Sequence, residues 1–110
     1  MIDGQLSPAA RRGKTLFESK RVGCQECHPA PLYTDLKSHQ VGTRGPADYS
    51  DTFDTPTLVE VWRTAPYLHD GRYATIRELR VEGKHGQVVG RAADLDRQPA
   101  DDLIEFFLSL

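Results

Sequence analysis

The sequence predicts an all-α fold in one domain of 110 residues. Two observations support this prediction. An amphipathic helical pattern lies near each end of the chain, and short segments with helix-capping signals lie between them. We expect residues 1–7 to form a tail, and the chain to be a mature form or a domain cut from a longer chain.

The first helix is predicted over residues 8–20. Ser7 provides a side-chain cap, Pro8 suits the first helical position, and the helix should end before Gly23. Gly13 lies on the apolar face, where it costs about 1 kcal/mol relative to alanine, so we expect another backbone to pack closely there. The other residues of that face are Ala9, Leu16 and Phe17.

A Cys-x-x-Cys-His motif follows this helix, at Cys24, Cys27 and His28. It is typical of c-type haem attachment, in which two thiols add to the porphyrin vinyl groups and the histidine binds the iron. Zinc is the main alternative, but the chain has no further cysteine, and His28 and His39 could complete such a site only if the chain bent back sharply. A thioredoxin-like redox pair would need a βαβ context, which the sequence lacks, and a chance combination remains the last alternative.

The stretch from residue 29 to 53 shows little periodicity and is predicted to be a long loop that covers the haem edge. A short helix should begin with Thr55 and Pro56 and end before Pro66, and we expect it to turn Leu58, Val61 and Trp62 inward. A large aromatic residue on such a face is more often part of the core than an electron relay.

Another helix should start at Thr75, where Glu78 completes a capping box, and end at Gly83. The last helix should open at Asp96 or Gln98, with Pro99 in its first turn. A helix before the haem motif, crossed at Gly13 by a helix at the chain end, is the arrangement of the class I cytochrome c fold. The apolar stripe of the last helix comprises Ala100, Leu103, Ile104, Phe106, Phe107, Leu108 and Leu110.

Five separated motifs resemble the C-terminal haem domain of the bacterial di-haem cytochrome c peroxidase and MauG superfamily. Besides the haem motif, they are the stretches 31–43, 53–58, 64–76 and 102–110, so the resemblance spans residues 13 to 110. It implies one haem c held by Cys24 and Cys27, in a single-haem version of the electron-transferring half.

The chain departs from that family in two respects. It has one haem motif, and Met1 is its only methionine, although the distal iron ligand of this half is commonly a methionine. Gly83 falls near the expected ligand position, and His85 is the nearest strong ligand. The segment around His85 is similar to the Lys/Arg-His-Gly segment of single-haem relatives, so we expect His28 and His85 to bind the iron, with His69, His39 or no residue as the alternatives to His85.

Other residues are expected near the cofactor. His69 resembles the histidine of the family's Tyr-x-His-Asp-Gly turn, and we expect it to lie near the haem and to hydrogen-bond a propionate or the backbone. Arg63 or Arg72 is expected to pair with a propionate, because a guanidinium matches a carboxylate, and Arg72 is favoured by its place beside the turn. Asp70 with Gly71 is most simply a tight turn.

The composition excludes several classes of function. The net charge is -2 and 27% of the residues are charged, which indicates neither nucleic-acid binding nor attachment to a membrane surface, and no apolar run could span a membrane. We therefore expect a periplasmic or otherwise exported electron-transfer domain, whose partners are redox proteins or a second haem domain of a parent protein. A peroxidase-type enzyme with an open or displaceable distal iron site is the alternative.

Overall fold

The computed structural model describes residues 5–83, 85 and 95–110. Its secondary structure is mainly helical, with three α-helices: α1 is Pro8–Phe17, α2 is Cys24–Cys27 and α3 is Arg97–Leu108. A two-stranded antiparallel pair joins β1, Ser38–His39, to β2, Phe53–Asp54. Val61–Arg63 forms a 3-10 turn and Glu78–Glu82 a turn of π-helix. Within the described residues, no helix is long and apolar enough to cross a bilayer.

Helix α1 begins as its sequence predicts. The Ser7 Oγ accepts a hydrogen bond from the Ala10 N–H at 3.1 Å, and Pro8 occupies the first turn. The predicted end at residue 20 is wrong, because the helix ends at Phe17. The Ser19 side chain and N–H both donate to the Leu16 carbonyl oxygen, and this local bonding competes with a further helical turn.

The first and last helices pack directly against each other at Gly13. A Cβ at this position would lie 1.9 Å from the Asp102 carbonyl oxygen and 2.9 Å from the Phe106 Cβ, so only glycine fits. The close backbone approach that Gly13 predicts is therefore confirmed. Beside it, Arg12 and the buried Asp102 form a bidentate salt bridge, with distances of 2.9 and 3.0 Å.

Helix α3 supplies most of the core. Asp96 precedes its first residue, in agreement with one of the two predicted starts. Its buried side chains join two clusters, one formed by Phe17, Leu103 and Phe106 and the other by Tyr67, Ile76 and Ile104. Leu108 was expected on the apolar stripe, but 45% of it is exposed.

The middle of the chain differs most from expectation. Most of residues 29–53 is irregular, as predicted, but part of it pairs with β2. The predicted helix after Thr55 is wrong, since the segment forms only the 3-10 turn, and Trp62 is 51% exposed rather than part of the core. The start of this segment is extended because Asp54 pairs with Ser38. Local capping signals do not predict such pairing between distant residues.

The capping box at residue 75 is present in modified form. The Thr75 Oγ1 accepts from the Glu78 N–H, while the Glu78 carboxylate accepts from the Ala74 N–H. The π-helical turn that follows ends at Gly83, where a Cβ would come within 2.7 Å of both the Leu79 carbonyl oxygen and the Tyr73 ring. Gly83 thus lets the chain turn tightly just before His85.

Candidate haem site

The Cys-x-x-Cys motif forms a single helical turn. Gly23, which precedes it, has a left-handed backbone with φ of 72°, a conformation that glycine adopts without strain. The His28 N–H donates to the Cys24 carbonyl oxygen at 3.0 Å and closes the turn. Positions three apart in a helix lie on one face, so the turn presents Cys24 and Cys27 together and His28 next to them.

Both cysteines are free thiols that resist ionisation. Burial raises the pKa of Cys24 to about 11. Burial also raises the pKa of Cys27, and the charges of Asp35 and Glu26 raise it further. A reactive redox pair depends on a lowered thiol pKa, so these surroundings argue against the thioredoxin-like alternative.

A backbone carbonyl oxygen orients the ring of His28. Its Nδ1 lies 2.8 Å from the Tyr33 carbonyl oxygen, which can only accept, so Nδ1 carries the proton. Burial lowers the pKa of His28, which favours the neutral ring. In that tautomer Nε2 has a free lone pair, as an iron-binding imidazole requires.

His85 is a second neutral imidazole in the same region. Its pKa is lowered to about 4, mainly by burial, and the charges of His28 and Arg80 contribute to this lowering. Its backbone N–H donates to the Leu79 carbonyl oxygen at 3.3 Å. The His85 Nδ1 is buried without a hydrogen-bond partner in the described chain, a costly arrangement unless the ring binds something else.

These residues fit a covalently attached haem. Two protonated thiols lie on one helical turn, and one imidazole is oriented by a carbonyl. The second imidazole has a buried Nδ1 with no hydrogen-bond partner among the described residues. Each group has the chemistry that its predicted role requires. His28 and His85 are brought to one region, and Cys24 lies close enough to Arg80 for the two charges to interact.

A different group forms beside the motif at Cys27, Asp35 and His39. Their ligand atoms lie within 4.8 Å of one another, and the His39 Nε2 is 2.6 Å from the Asp35 carboxylate. Sequence reasoning considered His39 but missed Asp35. A structural zinc site takes four ligands, and the described residues supply three here.

His69 lies in a polar cluster of its own. Its ring stacks on Phe53, with ring centroids 3.7 Å apart, and its Nε2 is 2.9 Å from the Asp48 carboxylate. Asp48 also accepts a hydrogen bond from the Gly45 N–H at 2.6 Å, and this bond, followed by that of His69, lowers the pKa of Asp48. The cluster connects the long loop, residues 29–53, to the turn that contains His69.

Both arginines expected at a propionate have protein partners. Arg72 binds the Asp70 carboxylate at 2.6 Å and donates to the Thr43 carbonyl oxygen at 2.6 Å. Arg63 lies 3.4 Å from the Glu60 carboxylate, and both of those side chains are more than half exposed. Arg72 therefore acts with His69 in fastening the loop to the turn.

Sequence reasoning did not identify Arg80, which is 5% exposed. Arg80 follows the buried Ile76 by four positions and precedes His85 by five. Because positions four apart share a helical face, this spacing was the available signal for a buried cation near the predicted ligand.

Comparisons with known proteins agree with this interpretation of the site. No family model matches the chain. The chain is 29% identical to the hydrazine synthase gamma subunit of Kuenenia stuttgartiensis over 98% of its length, and 30% identical to the methylamine utilization protein MauG of Methylophilus methylotrophus over 96%. It is 26% identical to the cytochrome-c peroxidase IdrP1 of a Pseudomonas species over 67%. These similarities support a MauG and cytochrome-c-peroxidase-like family.

The fold is similar as well. A solved structure of Kuenenia stuttgartiensis hydrazine synthase superposes on the whole chain with a TM-score of 0.84 and 27% identity, and the chain covers 48% of it. The chain spans 42% of the hydrazine synthase subunit, 37% of the MauG protein and 30% of the peroxidase. The likeness therefore concerns one part of each of these longer proteins.

Proposed function

We propose that this chain is a single-haem c-type cytochrome domain that passes one electron at a time between redox partners outside the cytoplasm. The observation that carries the proposal is the pair of neutral imidazoles beside the motif. His28 is oriented by the Tyr33 carbonyl, and the Nδ1 of His85 is buried with no partner in the part of the chain that the structure describes. Similarity to MauG and cytochrome-c peroxidase proteins supports a haem-protein domain.

In this proposal each residue has a separate role. Cys24 and Cys27 would hold the haem through thioether bonds, and His28 and His85 would bind its iron. When bound, the haem supplies the iron that accepts and releases the electron. The clusters around Phe17 and Ile76 exclude water from this part of the domain. Two imidazoles without a methionine sulfur should give a lower reduction potential than the ligands of His/Met cytochromes.

The partners in this proposal are redox proteins or a second haem domain. The chain spans less than half of its relatives, which supports a partner within a longer protein. Haem attachment to this motif takes place on the exported side of the membrane, so we propose a periplasmic or otherwise exported location. The experiment is to produce the chain with an export signal and haem-attachment machinery, and to extract it with acid and acetone. Colour that stays with the wild type, and is extracted from Cys24→Ser/Cys27→Ser, supports the proposal.

Peroxidase activity is the second candidate, supported by the similarity to cytochrome-c peroxidase IdrP1. This activity requires a coordination position of the iron that His85 does not occupy, or from which His85 can dissociate. Peroxide-dependent oxidation of a reduced cytochrome by the isolated holoprotein separates the two candidates. An electron-transfer domain should give negligible turnover, whereas sustained turnover would favour the peroxidase.

A further inference from the structure

Arg80 is a buried charge without a counter-ion in the described chain. The other buried charged side chain, Asp102, is neutralised by Arg12. Arg80 is only 5% exposed, and among the residues described here no carboxylate lies within salt-bridge distance of it. A buried charge is costly unless it is paired, so its surroundings should contain an anion that the described residues do not supply.

The hydrogen bonds of Arg80 are also incomplete. A guanidinium has five N–H donors. The Nη1 of Arg80 donates one long hydrogen bond, 3.4 Å, to the His85 carbonyl oxygen, and its Nε is buried with no partner among the described residues. Arg80 is therefore anchored to the backbone of the proposed distal ligand and still has donors available for a carboxylate.

The surroundings of Arg80 place it at the proposed haem site. Burial raises the pKa of Cys24, and the charge of Arg80 opposes this rise. The same charge contributes to the low pKa of His85. The hydrogen bond from the Arg80 Nη1 to the His85 carbonyl oxygen places Arg80 beside the proposed second ligand. Arg63 and Arg72, by contrast, are engaged by Glu60 and Asp70.

We propose that the guanidinium of Arg80 binds a haem propionate carboxylate, and that its buried positive charge favours the reduced iron. This inference rests on the proposed function, because the propionate belongs to the haem. A positive charge close to the iron opposes the additional positive charge of the ferric state, and low solvent exposure strengthens the effect. Arg80 would then be a positioning residue that sets the reduction potential.

The experiment compares reduction potentials of holoproteins by optical redox titration. In R80Q the equilibrium between oxidised and reduced haem should shift about tenfold toward the oxidised form. This corresponds to a decrease of about 59 mV in the one-electron reduction potential. R80K keeps the charge, so its ratio of oxidised to reduced haem should stay within about threefold of the wild-type ratio. R77Q is the matched control, because Arg77 lies three positions earlier and pairs with Asp101 at the exposed surface. In R77Q the ratio of oxidised to reduced haem should stay within about twofold of the wild-type ratio.

Three results would overturn the assignment. R80Q within about twofold of the wild type would mean that the charge has no effect on the iron, and an equal decrease in R77Q would indicate a general surface effect. A wild-type potential that changes with phosphate concentration at constant ionic strength would identify a free anion, rather than a propionate, at Arg80.

A second measurement covers the case in which R80Q does not retain haem. The propionate bending band in the resonance Raman spectrum should shift between the wild type and R80K, because lysine cannot form the paired hydrogen bonds of a guanidinium. An unchanged band would overturn the assignment. A wild type without covalent haem would instead contradict the proposed function, and the role of Arg80 would be rejected with it.

Discussion

The Nδ1 of His28 lies 2.8 Å from the Tyr33 carbonyl oxygen, and this contact leaves Nε2 as the ring nitrogen available to the proposed iron. Tyr33 has a left-handed backbone with φ of 55°, and its ring packs against Phe17 and Phe106. The orientation of the proximal imidazole is therefore linked to the core formed by the first and last helices.

The first prediction concerns the distal ligand. His85→Ala should convert the ferric protein from low spin to high spin, because it removes the second imidazole from the iron. His69→Ala is the matched control and should remain low spin, since the His69 Nε2 is bonded to Asp48. Absorption and electron paramagnetic resonance spectra check both variants. A low-spin His85→Ala protein would assign the distal position to another residue.

The second prediction concerns the role of His69 in fastening the loop. His69→Ala removes the stacking on Phe53 and the bond to Asp48, and should decrease the free energy of unfolding by about 1–2 kcal/mol. Tyr49→Ala, in the same loop but fully exposed, should change it by less than about 0.5 kcal/mol. Urea denaturation of the holoproteins measures both values. Equal effects of the two substitutions would show that the His69 contacts contribute little.

The third prediction tests the packing of the first and last helices. Gly13→Ala would place a Cβ 1.9 Å from the Asp102 carbonyl oxygen, and this clash should cost about 3 kcal/mol or more. Gly45→Ala is the control, because its Cβ would meet nothing closer than 3.4 Å, and we expect a change below about 1 kcal/mol. Thermal unfolding should show the difference, and a Gly13→Ala variant as stable as the wild type would contradict this packing.

Local signals identified the ends of the chain well. Ser7 and Pro8 act within one turn, and Gly13 indicates a close backbone wherever its partner comes from, so the sequence predicts both the start of α1 and the approach of α3. The end of α1 was less predictable, because it depends on a hydrogen bond from the Ser19 side chain to the Leu16 carbonyl oxygen. The sequence does not indicate which partner Ser19 takes.

The middle of the chain and much of the site depend on contacts between distant residues. Thr55 and Pro56 have the local pattern of a helix start, but pairing of Phe53 with His39 holds the segment extended. The motif predicts His28 as an iron ligand because its spacing alone reflects the chemistry of haem attachment. The partners of His69 and Arg72, at Asp48 and Thr43, became apparent only in the folded chain.

The fourth prediction concerns acid stability. Desolvation raises the pKa of Asp35, but hydrogen bonds from His39 and the Lys37 N–H outweigh it, and the pKa is about 2, below the ordinary value of 3.8. Between these pH values the unfolded chain binds more protons, so stability falls as pH decreases from about 4 to about 2. Asp35→Asn should flatten this fall. Urea unfolding at each pH measures the slope, and parallel curves for both proteins would disprove the role of Asp35.

The central claim is that His28 and His85 hold a covalently attached haem. The measurement that tests it most directly is the visible absorption spectrum of the exported protein, ferric and then dithionite-reduced, before and after extraction with acid and acetone. We expect low-spin bands in both states and colour that resists extraction. Extractable colour would contradict covalent attachment, and high-spin bands would contradict ligation by His85.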